Sequence, residues 1–188
     1  MPEGTLGDAY LRDMRRTYRN YKALGEKAIA QIQSDEDLHA QLGPESNSIA
    51  VIVQHLSGNL RSRLRDFLIT DGEKPDRDRD AEFEMPARVS RAELLRLWDE
   101  SWSITLGTVD ALKPDDLEKT IHIRGEAFLA IEALNRNATH TAYHVGQIVY
   151  LARHFAAQDW KSLSIPKGKS AAHAKGDFKS KGIARTNP

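Results

Sequence analysis

The sequence predicts an all-α protein, a four-helix bundle with long crossover connections, and three observations carry that prediction. Four segments repeat apolar residues at spacings of three and four with charged residues between them, the pattern of amphipathic helices. Capping residues, Gly and Pro punctuate the stretches between those segments. Nothing repeats internally, and one short stretch alone alternates with period two, which leaves room for a short extended segment before the last helix and for no sizeable sheet.

The first helix is expected from Leu6 to Ile32, where Leu6, Tyr10, Met14, Tyr18, Tyr21, Leu24, Ala28 and Ile32 form one stripe. Ser34-Asp35-Glu36-Asp37 reads as a capped short turn, and Gly43-Pro44 interrupts the chain. Ser46 or Asn47 supplies an N-cap for a second helix running through Ile49, Ile52, Val53, Leu56, Leu60, Leu64, Phe67 and Leu68 to Asp71-Gly72. From Asp71 to Pro86 acids and bases alternate without apolar periodicity, so a solvated surface loop is expected, its bases competing with any cation for the carboxylates. Ser90-Arg91-Ala92-Glu93 is a capping box for a third helix striped by Leu94, Trp98, Trp102, Thr105, Val109 and Leu112, with both tryptophans as core or pocket wall. Lys113-Pro114-Asp115-Asp116 ends it, and Thr120 to Gly125 alternates as a short strand or extended crossing that turns His122 to solvent. A fourth helix from about Glu126 to Phe155 buries Phe128, Ile131, Leu134, Ala138, Val145, Ile148, Ala152 and Phe155.

At 188 residues, with 40% hydrophobic and 29% charged residues, the chain suits one soluble domain with a full-sized core. No stretch is apolar enough to cross a bilayer, and Met1-Pro2-Glu3-Gly4 opens no signal peptide, so a cytoplasmic location without membrane partners is expected. Cysteine is absent, which removes disulfides, thiolate ligands and a protein thiol nucleophile; thiol chemistry would need a thiol carried by the substrate. Lys plus Arg equals Asp plus Glu at 27 each, and this balance gives no electrostatic case for nucleic acid as a partner. From Lys161 onward seven Lys or Arg face one acid, Asp177, leaving the first 160 residues at net −6. The domain is accordingly expected over residues 1–170, and a basic, flexible tail over 171–188.

The residues with the sharpest chemistry are His140 and His144, in His-Thr-Ala-Tyr-His followed by Gln147. Spacing of four puts both imidazoles on one helix face, a half-site for a divalent metal. His55, in the apolar stretch Val51 to Leu56, can face that pair across a bundle and complete three ligands with a position left open. The glutamate of a His-Glu-x-x-His protease helix is missing, which disfavours zincin-type proteolysis. Asn59 lies one turn from His55, Arg136 one turn before His140 and Gln147 three residues after His144, so each is a candidate to line the same cavity and orient a ligand or a substrate.

One histidine in the second helix and His-x-x-x-His-x-x-Gln in the fourth resemble the DinB-like, YfiT-like family of metalloenzymes. The stretches Asn47 to Asn59, Phe67 to Pro75, His144 to Val149 and Ser162 to Ser170 look like a branch described only as a domain of unknown function. The resemblance spans Leu6 to Ser170. It implies a four-helix bundle of the DinB/YfiT type holding a divalent metal, nickel or zinc, on His55, His140 and His144. It also implies a homodimer, and relatives that act as transferases or isomerases with low-molecular-weight thiols such as bacillithiol or mycothiol and a small electrophile. A thiol-dependent transferase is therefore the leading expectation, with a metal-dependent hydrolase or a noncatalytic metal-binding or dimerisation module as alternatives.

Overall fold

Four long helices surround one core in the computed structural model, which describes residues 4–84 and 89–171. They are α1 (Leu6–Ile29), α3 (Ile49–Leu64), α4 (Arg91–Ala111) and α5 (Ala130–Ala156), with a short α2 (Asp35–His39) between the first two. Before α5 the chain forms an antiparallel hairpin of β1 (Thr120–Ile123) and β2 (Glu126–Leu129). The protein is thus mostly helical with one small two-stranded sheet. The basic tail predicted from residue 171 lies outside the described residues, apart from Ala171 itself.

The helix starts follow their caps. Thr5 and Asp8 exchange hydrogen bonds as a capping box, with the Thr5 hydroxyl accepting from the Asp8 amide at 3.2 Å and the Asp8 carboxylate from the Thr5 amide at 2.7 Å. Ser34, Ser48 and Ser90 cap α2, α3 and α4 through their hydroxyls. The second long helix therefore begins one or two residues later than the expected Ser46 or Asn47. Ser90 caps as predicted, but the Glu93 carboxylate binds Arg96, at 2.7 and 3.0 Å, so its half of the expected capping box has another use.

Packing sets the order of the helices: α3 touches α4 and α5, and α1 touches the same two. Leu11 and Tyr18 of α1, Leu56 and Leu60 of α3, Trp98 and Trp102 of α4, and Leu134 and Ile148 of α5 meet in the interior. The two indoles pack at a tilt of 52° with centroids 5.3 Å apart, and Tyr18 meets Trp102 edge-on at 6.3 Å. Gly25 makes room for this, since a Cβ there would stand 2.7 Å from the Trp98 ring. α3 is buried almost all round, from Ile49 to Leu64, which is why polar residues on it such as His55 and Asn59 end up inside the protein.

Four expectations are corrected. The first helix stops at Ile29, and Leu6 is exposed beyond the core edge, so the apolar stripe is shorter than its sequence pattern. α3 stops at Leu64 instead of running to Asp71, because Arg65 turns extended at ψ 128° and Asp66 then takes a positive φ of 50°, which carries the chain away. Residues 126–129 are the second strand of a hairpin and not the first turn of α5; Arg124 and Gly125, both at positive φ, form the two-residue turn between the strands. The fourth correction concerns the loop after α3, whose Lys74 and Glu82 are buried rather than solvated. His122 is exposed, as its place in the alternation predicted.

Candidate metal centre

α3 and α5 run antiparallel past each other at the site. Asn59 of α3 accepts a 3.1 Å hydrogen bond from Asn137 of α5, and one turn earlier on α3 His55 meets His140 and His144, which lie later on α5. The imidazole centroids of the three histidines are 4.6 to 5.3 Å apart. One ring nitrogen from each lies within 4.8 Å of the others, a grouping able to hold a metal ion. His55 and His144 are buried, and His140 is half-buried at the cavity wall.

Hydrogen bonds behind the rings decide which nitrogens face inward. The His55 Nδ1–H donates to Glu82 Oε2 at 2.8 Å, which turns Nε2 inward to within 3.3 Å of Nε2 of His140. His144 Nδ1–H donates to Gln147 Oε1 at 2.9 Å, and His144 Nε2 is buried with no hydrogen-bond partner. Burial first, then the nearby His144 and His55 imidazoles and the Arg77 and Arg63 guanidiniums, pull His140 down to about 3. Burial and His55 pull His144 down to about 4 against the raising effect of Gln147. Both rings are neutral at pH 7, with lone pairs available to a cation.

Glu82 is the residue that the sequence reading missed. It comes from the 3-10 turn Ala81–Phe83 in the loop between α3 and α4, and lies against α3 over Gly58. Arg77 from the same loop binds both Glu82 oxygens, at 2.7 and 2.9 Å. Burial by itself would raise the Glu82 carboxyl, but the His55 hydrogen bond and the Arg77 charge outweigh it and hold the carboxyl below the usual range. Gly58, a small residue one turn after His55, is the only trace of this contact in the sequence.

The histidines open onto a cavity of about 410 Å³. All three predicted flanking residues line it. Asn59 is buried in a relay with Asn137 and Tyr18, whose hydroxyl donates to Asn137 Oδ1 at 2.8 Å. Gln147 orients His144. Arg136 is exposed, with its guanidinium 5.5 Å from the Phe128 ring centre. Phe83 flanks His55, with ring centres 4.5 Å apart, and Tyr143 flanks His144 at 4.1 Å. Arg63, Arg77, Arg79 and Arg124 complete a basic rim that no spacing in the sequence announces, since they come from α3, the loop after it and the hairpin turn.

Fold and site together define a mostly helical protein with three histidines converging at the wall of an arginine-rich cavity. A family model described as "Protein of unknown function (DUF1572)" matches residues 5–169, and the chain belongs to that family. Among solved structures it is similar to the crystal structure of a DinB-like protein, YjoA, from Bacillus subtilis. The two have a TM-score of 0.52 and 13% sequence identity over 80% of this chain and 96% of that one. The DinB-like resemblance in the sequence is thereby borne out at the level of fold. No curated protein matches the chain. Among the described residues no helix is long and apolar enough to cross a membrane.

Proposed function

We propose that this chain is a metal-dependent enzyme of the DinB type, in which His55, His140 and His144 hold one divalent ion, nickel or zinc, inside a four-helix bundle. The observation that carries the reading is the division of roles within the imidazoles: Nδ1 of His55 and of His144 is engaged outward, while Nε2 of His55 faces Nε2 of His140 at 3.3 Å and the buried Nε2 of His144 has no hydrogen-bond partner. A buried imidazole nitrogen without a partner, as in His144, is costly unless something accepts its lone pair, and a divalent cation fits the three-histidine donor set. When bound, such an ion supplies Lewis acidity that favours the ionised form of a thiol or water at neutral pH.

The remaining work falls to the chain itself. Glu82 and Gln147 fix the tautomer and direction of two of the rings. Asn59 and Asn137 present a fixed polar floor beside them, and Phe83 and Tyr143 shield the histidines with ring faces. Because the chain has no cysteine, a reacting thiol enters as substrate, and a low-molecular-weight thiol with a small electrophile is the pair this reading assigns to the cavity.

Elemental analysis of protein purified without a histidine tag tests the reading. About one divalent metal per chain is expected, lost when His55, His140 or His144 is changed singly to Ala, since three ligands leave no reserve. Stoichiometric metal in all three variants would overturn the assignment. The metal-free protein should retain its helical circular dichroism, because the core packs without reference to the site.

A further inference from the structure

The cavity has two chemically different ends. Along α3, His55, Asn59 and Arg63 are spaced by four and share one face; along α5, Arg136 and His140 do the same. Helical rise puts the backbone of Arg63 about 12 Å from that of His55, and Arg136 about 6 Å from His140. Arg124, at the positive-φ turn of the hairpin, and Arg77 and Arg79, from the loop before α4, join these side chains in lining the same space. Among the described residues that line it, none is acidic.

The carboxylates behind the arginines are too few to neutralise them. Glu73 serves three: it binds Arg63 at 2.9 Å and Arg124 at 2.8 Å, with Arg77 at 3.5 Å. Glu82 binds Arg77 and accepts from His55. Arg79 has Asp80 at 3.8 Å, but that carboxylate is 94% exposed and its screened attraction is small. Arg136 has an aromatic face, Phe128, and no ion pair among the described residues. Five guanidiniums line the concave, partly desolvated space with only Glu73 and Glu82 held behind them, while Asp76, Asp78 and Asp80 lie on the outer, solvent-facing side of Arg77, Arg79 and Arg124, so positive charge predominates inside the cavity. Planar guanidiniums converging from two helices, a hairpin turn and a loop match the oxygens of a carboxylate or phosphate.

We propose that this arginine end binds the oxyanion of a small-molecule substrate whose reactive group lies at the three histidines, so the substrate class is a compact carboxylate or phosphate with its reacting atom roughly 6–12 Å from the anionic group. The proposal rests on the metal-site reading for the position of the reacting end, and on the arginines alone for the anionic end. Asn59 and Asn137, between the two ends, offer neutral polar contacts along the way.

Calorimetric titration of the full chain in EDTA at low ionic strength tests the anionic end separately from any metal. Inorganic phosphate and glutarate are the two anionic probes, with neutral glutaramide as control. Saturable binding of either anion and none of the amide is expected, and the tighter anion identifies the headgroup. The double variant Arg79→Gln/Arg136→Gln changes only the two arginines that Glu73 and Glu82 do not hold and should weaken the anion about tenfold or more at unchanged circular dichroism. His144→Ala should retain the affinity. Three results would each overturn the proposal: no saturation with either anion, equal binding of the amide, or unchanged affinity in the double variant. Anion binding that appears only after zinc or nickel is added and ignores the double variant would also sink it, while leaving the metal reading in place.

Discussion

The two walls of the histidine site are built by different means. On α5, Arg136, His140, His144 and Gln147 all lie within about three turns of one helix, so 3.6-residue periodicity alone brings them together. On the α3 wall, His55 depends on Glu82, 27 residues away, which reaches it only because the connection to α4 folds back over Gly58. The α5 support is exposed Gln147, which water can replace; the α3 support is a buried carboxylate tied to a buried guanidinium. The same chemical task, holding an imidazole by its Nδ1–H, therefore carries very different energetic stakes on the two sides.

Glu82→Ala should give the largest effect. It leaves Arg77, only 4% exposed in its side chain, without its principal partner, and breaking a buried pair from one side costs about 3–5 kcal/mol. Metal affinity should fall about 10- to 100-fold as His55 loses its orienting acceptor. Denaturant unfolding and chelator competition measure the two. If stability drops by less than about 1 kcal/mol, the buried network contributes little and the contrast between the walls fails.

Gly58→Ala separates position from charge on the same wall. An added Cβ would stand 2.7 Å from the Glu82 Cδ, and such overpacking costs about 1–3 kcal/mol. Replacing a mid-helix glycine by alanine returns about 1 kcal/mol of helix propensity, so net stability should fall by no more than about 2 kcal/mol. Metal affinity should still fall about tenfold, because Glu82 has to move off His55. A variant that binds metal as tightly as the parent would show that Glu82 does not hold the ring.

This contrast also explains what the sequence could reveal. His140 and His144 were legible from spacing four, and Gln147 and Arg136 from the same helix face. The buried tryptophans were legible for the same reason, since the periodicity that spaces Trp98 and Trp102 also turns both inward. His55 was found through its apolar surroundings. Glu82 was not, because an acid in a run such as Asp78-Arg79-Asp80 has the local signature of a solvated loop, and burial came from the return path of the chain. The early end of α3 was hidden too: Phe67 and Leu68 continue the apolar stripe, Phe67 is buried, and only the backbone of Arg65 and Asp66 shows that they do so outside the helix.

Gln147→Ala is the matching test on α5. His144 loses a 2.9 Å partner that is exposed, so water can take the Nδ1–H and stability should change by less than about 0.5 kcal/mol. Metal affinity should fall by about tenfold at most, near the lower end of the range for removing an orienting partner. A loss equal to that of Glu82→Ala would make the two supports equivalent and erase the asymmetry.

The smallest effect is expected where the α3 wall is fastened to the hairpin, and it is visible mainly through pH. Asp71 accepts backbone N–H groups from Glu73 at 2.6 Å, Gly125 at 2.8 Å and Arg124 at 2.9 Å, joining the loop that carries Glu73 and Glu82 to the turn that carries Arg124. The bonds from Glu73 and Gly125 are the main cause of its depressed pKa, about 2 against 3.8 for a free side chain. Between those values the unfolded chain holds the proton and the folded one does not, so the contribution of Asp71 to stability is complete above about pH 4 and disappears as pH falls toward 2. Asp71→Asn, which cannot ionise, should lower the melting temperature slightly at pH 7. The gap between variant and parent should then close as the pH is brought down through that window. A gap that stays constant from pH 7 to pH 2 would mean that the carboxylate charge adds nothing to this fastening and that the loop is held by Glu73 and Arg77 alone.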